Sequence, residues 1–304
     1  QPWAPRRRAD ARLRRRGPAM MEGRPPARTW EGARRSGAVD EPPEELVRAL
    51  RNGTCAAMVG AGLSYPAGLP GFESLLQAVA ESEGLELAVP SGGSYDDLDR
   101  LQFRLAERLG RERMVEAMRS VLHVREPLPG AMEVVLRAFC RLPLSAVVSW
   151  NWDSILDAHY HLVRNDASGF RSAVSCRASP DHYETASTPL LKMQGHLSEP
   201  ATVVLTEADY ERRAPEADVF LEELHRTRTV LYIGMSLRSG GYGGERRAGS
   251  LHYAILNDVT PRRRQELLEQ YNIHAISYDS AATMWKGNQI IMEELARRVY
   301  RSAA

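Results

Sequence analysis

The chain has 304 residues, 26% charged and 43% apolar, with a formal net charge of +1. Length and composition describe an ordinary globular protein of one large domain or two small ones, and exclude a fibrous or low-complexity chain. Cys55, Cys140 and Cys176 are far apart and form no CxxC pair, which excludes a disulfide scaffold and a four-cysteine zinc site and fits a reducing, cytoplasmic setting. No apolar run reaches the roughly 18–20 residues of a membrane span, and no secretory apolar segment occurs.

Residues 1–40 hold eleven Arg against four Asp or Glu, about +7, so the remainder carries about −6. This stretch has no apolar period and predicts a disordered basic tail ahead of one domain over 41–304. Arg6-Arg7-Arg8 and Arg14-Arg15-Arg16 are read as solvated tail ahead of a localisation signal or nucleic-acid contact. The acidic body argues against nucleic-acid binding by the core domain.

A helix opens at Glu41-Pro42-Pro43-Glu44, where proline suits the first turn and acids suit the dipole, and ends at Asn52-Gly53. Residues 54–59 predict the first strand. It runs into Gly60-Ala61-Gly62-Leu63-Ser64, then Gly68-Leu69-Pro70-Gly71-Phe72. Glycines at a strand's end let backbone lie against a pyrophosphate, and amides at a helix start favour the anion; a tight turn alone also explains them.

From 73 to 142 the period is helical, with Leu98, Leu101, Leu105 and Leu109 at spacings of three and four. A turn-rich loop, Pro90-Ser91-Gly92-Gly93-Ser94, interrupts it. The stretch is too long for one crossover and predicts an inserted helical subdomain. Strands are expected at Leu144–Ser149, Leu190–Met193, Val203–Leu205, Thr229–Ile233, His252–Leu256 and His274–Ser277, with helices at Pro261–Gln270 and Met284–Tyr300. Short β-branched strands alternating with helices predict an α/β fold, a Rossmann-like parallel sheet with helices on both faces.

In such sheets ligands sit beyond the carboxyl ends of the strands. Four of those ends carry small or hydrogen-bonding residues: Gly60 to Ser64, Ser149 to Asp153, Lys192 to His196, and Gly234-Met235-Ser236. With Thr206-Glu207-Ala208-Asp209-Tyr210, these motifs resemble the sirtuin superfamily over residues 45–300. They resemble more closely its NAD-glycohydrolase branch, found in bacterial antiphage effectors and some eukaryotic proteins. The protein-deacylase sirtuins carry a four-cysteine zinc module that this chain cannot build, and their Pro-Asp-Phe-Arg is Pro70-Gly71-Phe72-Glu73 here. A dehydrogenase is disfavoured, because no acidic residue ends a second strand about 20 residues on.

The resemblance implies NAD as substrate, no metal, an antiviral or immune effector role, and self-association as oligomer or filament. It places the pyrophosphate over Gly60, Ala61, Gly62 and Ser64, with Leu69, Pro70, Phe72, His196, Gly234 and Ser236 in the NAD site. Asn151 matches the asparagine that holds the ribose and positions water; its alternative is to cap a helix predicted over 152–160. Asp153, in that helix's first turn, is either catalytic or occupied with backbone and dipole. Tyr278 contacts adenine or lies on the surface. Trp150 and Trp152 wall the nicotinamide pocket or pack in the core. Thr206 and Tyr210 read as cap and packing, and the histidines other than His196 as structural or surface.

The family's general base is a histidine before the glycine at 195, and here the position is Gln194. An amide bonds a ribose hydroxyl but accepts no proton near neutral pH. Three explanations stay open: an engineered trap, a natural low-activity or sensing form, or His196 as substitute. The reading is therefore an NAD hydrolase slowed by Gln194, with an NAD- or ADP-ribose-binding pseudoenzyme as its alternative.

Overall fold

The computed structural model describes residues 29–87, 95–124, 126–158, 188–237, 251–283 and 286–301. The elements in order are α1 (Trp30–Arg35), α2 (Glu44–Arg51), β1 (Cys55–Val59), α3 (Phe72–Ser82), α4 (Tyr95–Leu109), α5 (Arg111–Val121), α6 (Gly130–Cys140), β2 (Val147–Ser149), β3 (Leu190–Lys192), α7 (Glu207–Thr227), β4 (Thr229–Ile233), β5 (His252–Asn257), α8 (Pro261–Tyr271), β6 (Ile273–Tyr278) and α9 (Gly287–Arg301). All six strands are parallel, in the order β3-β2-β1-β4-β5-β6. This is the doubly wound Rossmann order, and its switch point lies where β1 stands between β2 and β4.

Both faces of the sheet are covered, which explains strands that are mostly apolar. In β1, Cys55, Ala57 and Val59 join a cluster with α2, α6 and α9, while Ala56 and Met58 join one with α7 and α8. A third cluster unites Leu75, Leu76 and Val79 of α3, Leu101 and Leu105 of α4, and Met114 and Met118 of α5 with Trp152, Val203 and Leu205. These helices form a small subdomain beside the carboxyl ends of β1 and β2.

Three expectations change. The tail does not extend to 40: Thr29 caps α1, Ala33 is fully buried, and Val39 bridges Tyr278. The Asp40 carboxylate accepts from the Ser277 amide at 2.7 Å and pairs with Arg264 at 2.7 Å, which ties the segment to β6 and α8. Residues 1–28 lie outside the described residues. The helical stretch 73–142 divides, because Met132, Val135, Leu136 and Phe139 of α6 pack with α9 on the sheet and not with α3–α5.

Val203–Leu205 is not a strand. Its apolar side chains are buried on the small subdomain, and side chains take its carbonyls: Arg111 bonds Val203 O, and Gln102 Nε2 bonds Val204 O and Leu205 O. An apolar β-branched run reports burial, and here helices supply it. The loop at 90–94, most of the stretch after Leu237, and His159, His161 and His182 lie outside the described residues.

Candidate functional site

The turns after β1 and β4 lock into each other at the switch point. The Gly60 amide donates to Ile233 O at 3.0 Å and the Gly62 amide to Gly234 O at 2.9 Å. Gly234 has φ +68°, and a Cβ there would lie 2.3 Å from the Leu63 nitrogen; a Cβ on Gly60 would lie 2.7 Å from Gly234 O. Close approach of two turns therefore demands these glycines. It also uses the turn's amides: Leu63 and Ser64 donate to Gly60 O and Ala61 O. Among the described residues only the Ala61 amide of 60–64 takes no carbonyl. The expected amide cradle is thus largely closed on itself.

Two 3-10 turns, Ala61–Leu63 and Tyr65–Ala67, separate this region from α3. The α3 N-terminus has Gly71 as N-cap and no side-chain cap bond.

A cavity of about 260 Å³ opens here. It is smaller than a pocket that encloses a drug-sized ligand whole, so it suits one part of a dinucleotide. Of the expected residues, Gly60, Ala61, Gly62, Pro70, Phe72, Asn151, Asp153, Gln194, Gly234 and Ser236 line it, as do Trp150 and Trp152. Ser64, Leu69, His196 and Tyr278 do not.

Ser64 is 2% exposed and links other side chains. Its hydroxyl donates to Asp153 Oδ2 at 2.8 Å and accepts from Asn151 Nδ2 at 3.3 Å. Tyr278 is buried, against Gly287 and Val39. His196 Nδ1 lies 2.5 Å from Ser198 Oγ and its Nε2 3.8 Å from Asp157, outside the cavity wall.

Asn151 caps no helix, because the helical stretch begins at 155 and Asp153 Oδ1 accepts the Ile155 amide at 3.0 Å. The Asn151 amide group bonds Gly60 O at 3.2 Å as well as Ser64, and no described group donates to its Oδ1. That carbonyl oxygen is left for a ligand or water. Asp153 is 7% exposed; burial pushes its carboxyl up, against the opposing Lys192 charge and the Ser64 bond. Lys192, at the end of β3, is buried and donates to Asp153 O at 2.5 Å and Asp157 Oδ2 at 2.7 Å. The ends of β1, β2 and β3 are thereby joined under the cavity.

Gln194 is 6% exposed, and its Nε2 donates to the Tyr210 hydroxyl at 2.9 Å. Its Oε1 is buried and meets no hydrogen-bond partner among the described residues. Gly195, φ +76°, turns the chain sharply against Thr202 O, 2.1 Å from a would-be Cβ, and so carries His196 away. Thr206 caps α7 in a full capping box. Tyr210, in the next turn, lines the cavity with its ring edge-on to Phe103 and Arg213 5.2 Å above it. Burial and the nearby Asp99 push its hydroxyl up to about 12.

Asp99, Glu73 and Tyr65 also line the cavity and were missed in the sequence. Asp96, Asp97 and Asp99 read as acids at a helix start, and nothing local separates Asp99 from the others. Burial, then Asp96, pushes its carboxyl up to about 6.

The family profile described as SIR2-like domain matches residues 145–276. The chain is 24% identical over 197 residues to the NAD(+) hydrolase ThsA of Acinetobacter baumannii (strain 532279), a match covering 64% of this chain and 38% of that protein. The chain thus spans less than half of that relative's length. A solved mutant Sir2 homologue in complex with 2′-O-acetyl ADP ribose is 16% identical, with a TM-score of 0.37 over 86% of this chain and 98% of that one. The SIR2-like match runs from β2 into β6, the half of the sheet that carries the 151, 194 and 234 strand ends.

Proposed function

We propose that this protein cleaves NAD at the nicotinamide–ribose bond, releasing nicotinamide and either ADP-ribose by hydrolysis or its cyclic form by intramolecular closure, with NAD as substrate and no metal. The observation that carries the reading is Asn151. Its amide is anchored to the glycine turn while its Oδ1 stays open in a cavity at the switch point. A carbonyl oxygen so held can orient a water or a ribose hydroxyl. The aromatic rings of Trp150, Trp152 and Phe72 suit a flat cationic pyridinium. Phosphates are placed at the uncapped first turn of α3 and the Ala61 amide. Similarity to a named NAD(+) hydrolase supports the same reading.

Gln194 favours a second reading, an NAD-binding pseudoenzyme acting through self-association, since general-base loss costs about 10²–10⁴-fold in rate. Nicotinamide release from NAD separates the two. The hydrolase reading expects turnover that Gln194→His raises and Asn151→Ala abolishes. Tight NAD binding without turnover in all three forms would leave the pseudoenzyme.

A further inference from the structure

Gln194 leaves the cavity without a base where the resemblance places one. The titratable side chains lining it are Tyr65, Glu73, Asp99, Asp153 and Tyr210. Tyr65 is a phenol 54% exposed to water, and a phenol at neutral pH is a proton donor. Tyr210 is held protonated by burial. Asp153 has both oxygens bonded, to Ser64 and the Ile155 amide. Glu73 stands in the first turn of α3, where the phosphates are placed.

Asp99 differs on each count. The small subdomain carries it to the cavity wall on α4, half-buried. Among the described residues no group donates a hydrogen bond to its carboxylate. Its charge reaches Tyr210, which is bonded to Gln194. Asp96 on its own helix acts on it directly, and the other titratable or charged groups at this wall are Glu73 on α3, Asp153 beyond β2 and Tyr210 on α7, with Arg213 over the Tyr210 ring; α5 leads only to Leu122.

We propose that Asp99 is the proton acceptor of this site, performing the task closed to Gln194. The inference rests on the hydrolase reading. A water oriented by Asn151 Oδ1 bonds through oxygen to C1′ of the ribose as the C1′–N bond breaks. The electron pair of that bond passes to the pyridinium ring, so nicotinamide leaves neutral. The water's proton goes to the Asp99 carboxylate and then to solvent. One oxidised NAD, with its pyridinium charge, and one water thus give ADP-ribose, neutral nicotinamide and one proton. A carboxyl at about 6 stays ionised at neutral pH and remains basic enough to assist.

The test follows nicotinamide release against pH for the parent chain, Asp99→Asn, Asp96→Asn and Gln194→His, with NAD affinity by calorimetry. The parent rate is expected to rise through about pH 6. Asp99→Asn lowers kcat by about 10²-fold or more, flattens that rise and keeps NAD affinity. Asp96→Asn moves the rise to lower pH with the plateau unchanged; if Asp99→Asn folds poorly, this shift decides. An unchanged rate and profile in Asp99→Asn, or a parallel loss of NAD affinity, overturns the assignment and leaves the hydrolase reading standing. An inactive parent beside an active Gln194→His also overturns Asp99 alone. Inactivity of every form overturns both.

Discussion

Ser64 and Asp153 meet through a 2.8 Å hydrogen bond beneath the cavity, although 89 positions separate them. The same hydroxyl accepts from Asn151, so one oxygen holds two site side chains. Ser64→Ala leaves a buried carboxylate short of a donor. It is expected to lower unfolding stability by about 1–3 kcal/mol, measured by denaturant titration, and to reduce turnover by loosening Asn151.

The Gly234 turn is expected to tolerate no side chain. Gly37 has φ +70° in open space, so Gly37→Ala carries only the left-handed strain of about 1–2 kcal/mol. Gly234→Ala adds a collision with the Leu63 nitrogen and must cost clearly more in the same denaturant assay. Equal costs would mean that the two turns are not in contact.

Lys192 is a buried cation between Asp153 O and Asp157. Lys192→Met strands the Asp157 carboxylate and is expected to destabilise by about 3–5 kcal/mol. Adding Asp157→Asn should restore part of that loss, as read from melting temperatures.

Asp99 has a folded-state pKa raised from 3.8 to about 6. Between those values the unfolded chain has released the proton and the folded chain retains it, so this group's contribution to stability falls as pH rises through the window. Asp99→Asn is therefore expected to raise the melting temperature above about pH 6 and to match the parent below about pH 4. A lower melting temperature for the variant at neutral pH would contradict a desolvated carboxylate.

Much of the sheet was legible from local pattern. Thr229–Ile233 matches its strand, because a β-branched run buried on both faces has few other uses. The glycines at 60, 62 and 234 marked the strand ends, but for another reason than expected: they let two turns touch, and four of the five amides at 60–64 turn inward. Val203–Leu205 carries the same apolar signal as a strand, yet Arg111 and Gln102 take its carbonyls and helices cover its side chains.

By itself the sequence determined the parallel sheet, the absence of a four-cysteine zinc module and the strand ends at 60, 151, 194 and 234, since periodicity and residue type act locally. Only the tertiary structure decided that Val39 and Asp40 tie the N-terminal segment to β6, that Ser64 serves Asn151 and Asp153, and that Asp99 and Tyr210 share a cavity with Gln194. Those outcomes depend on contacts between elements far apart in the chain. Hydrophobic pattern records that a side chain is buried, while packing selects the partner it is buried against.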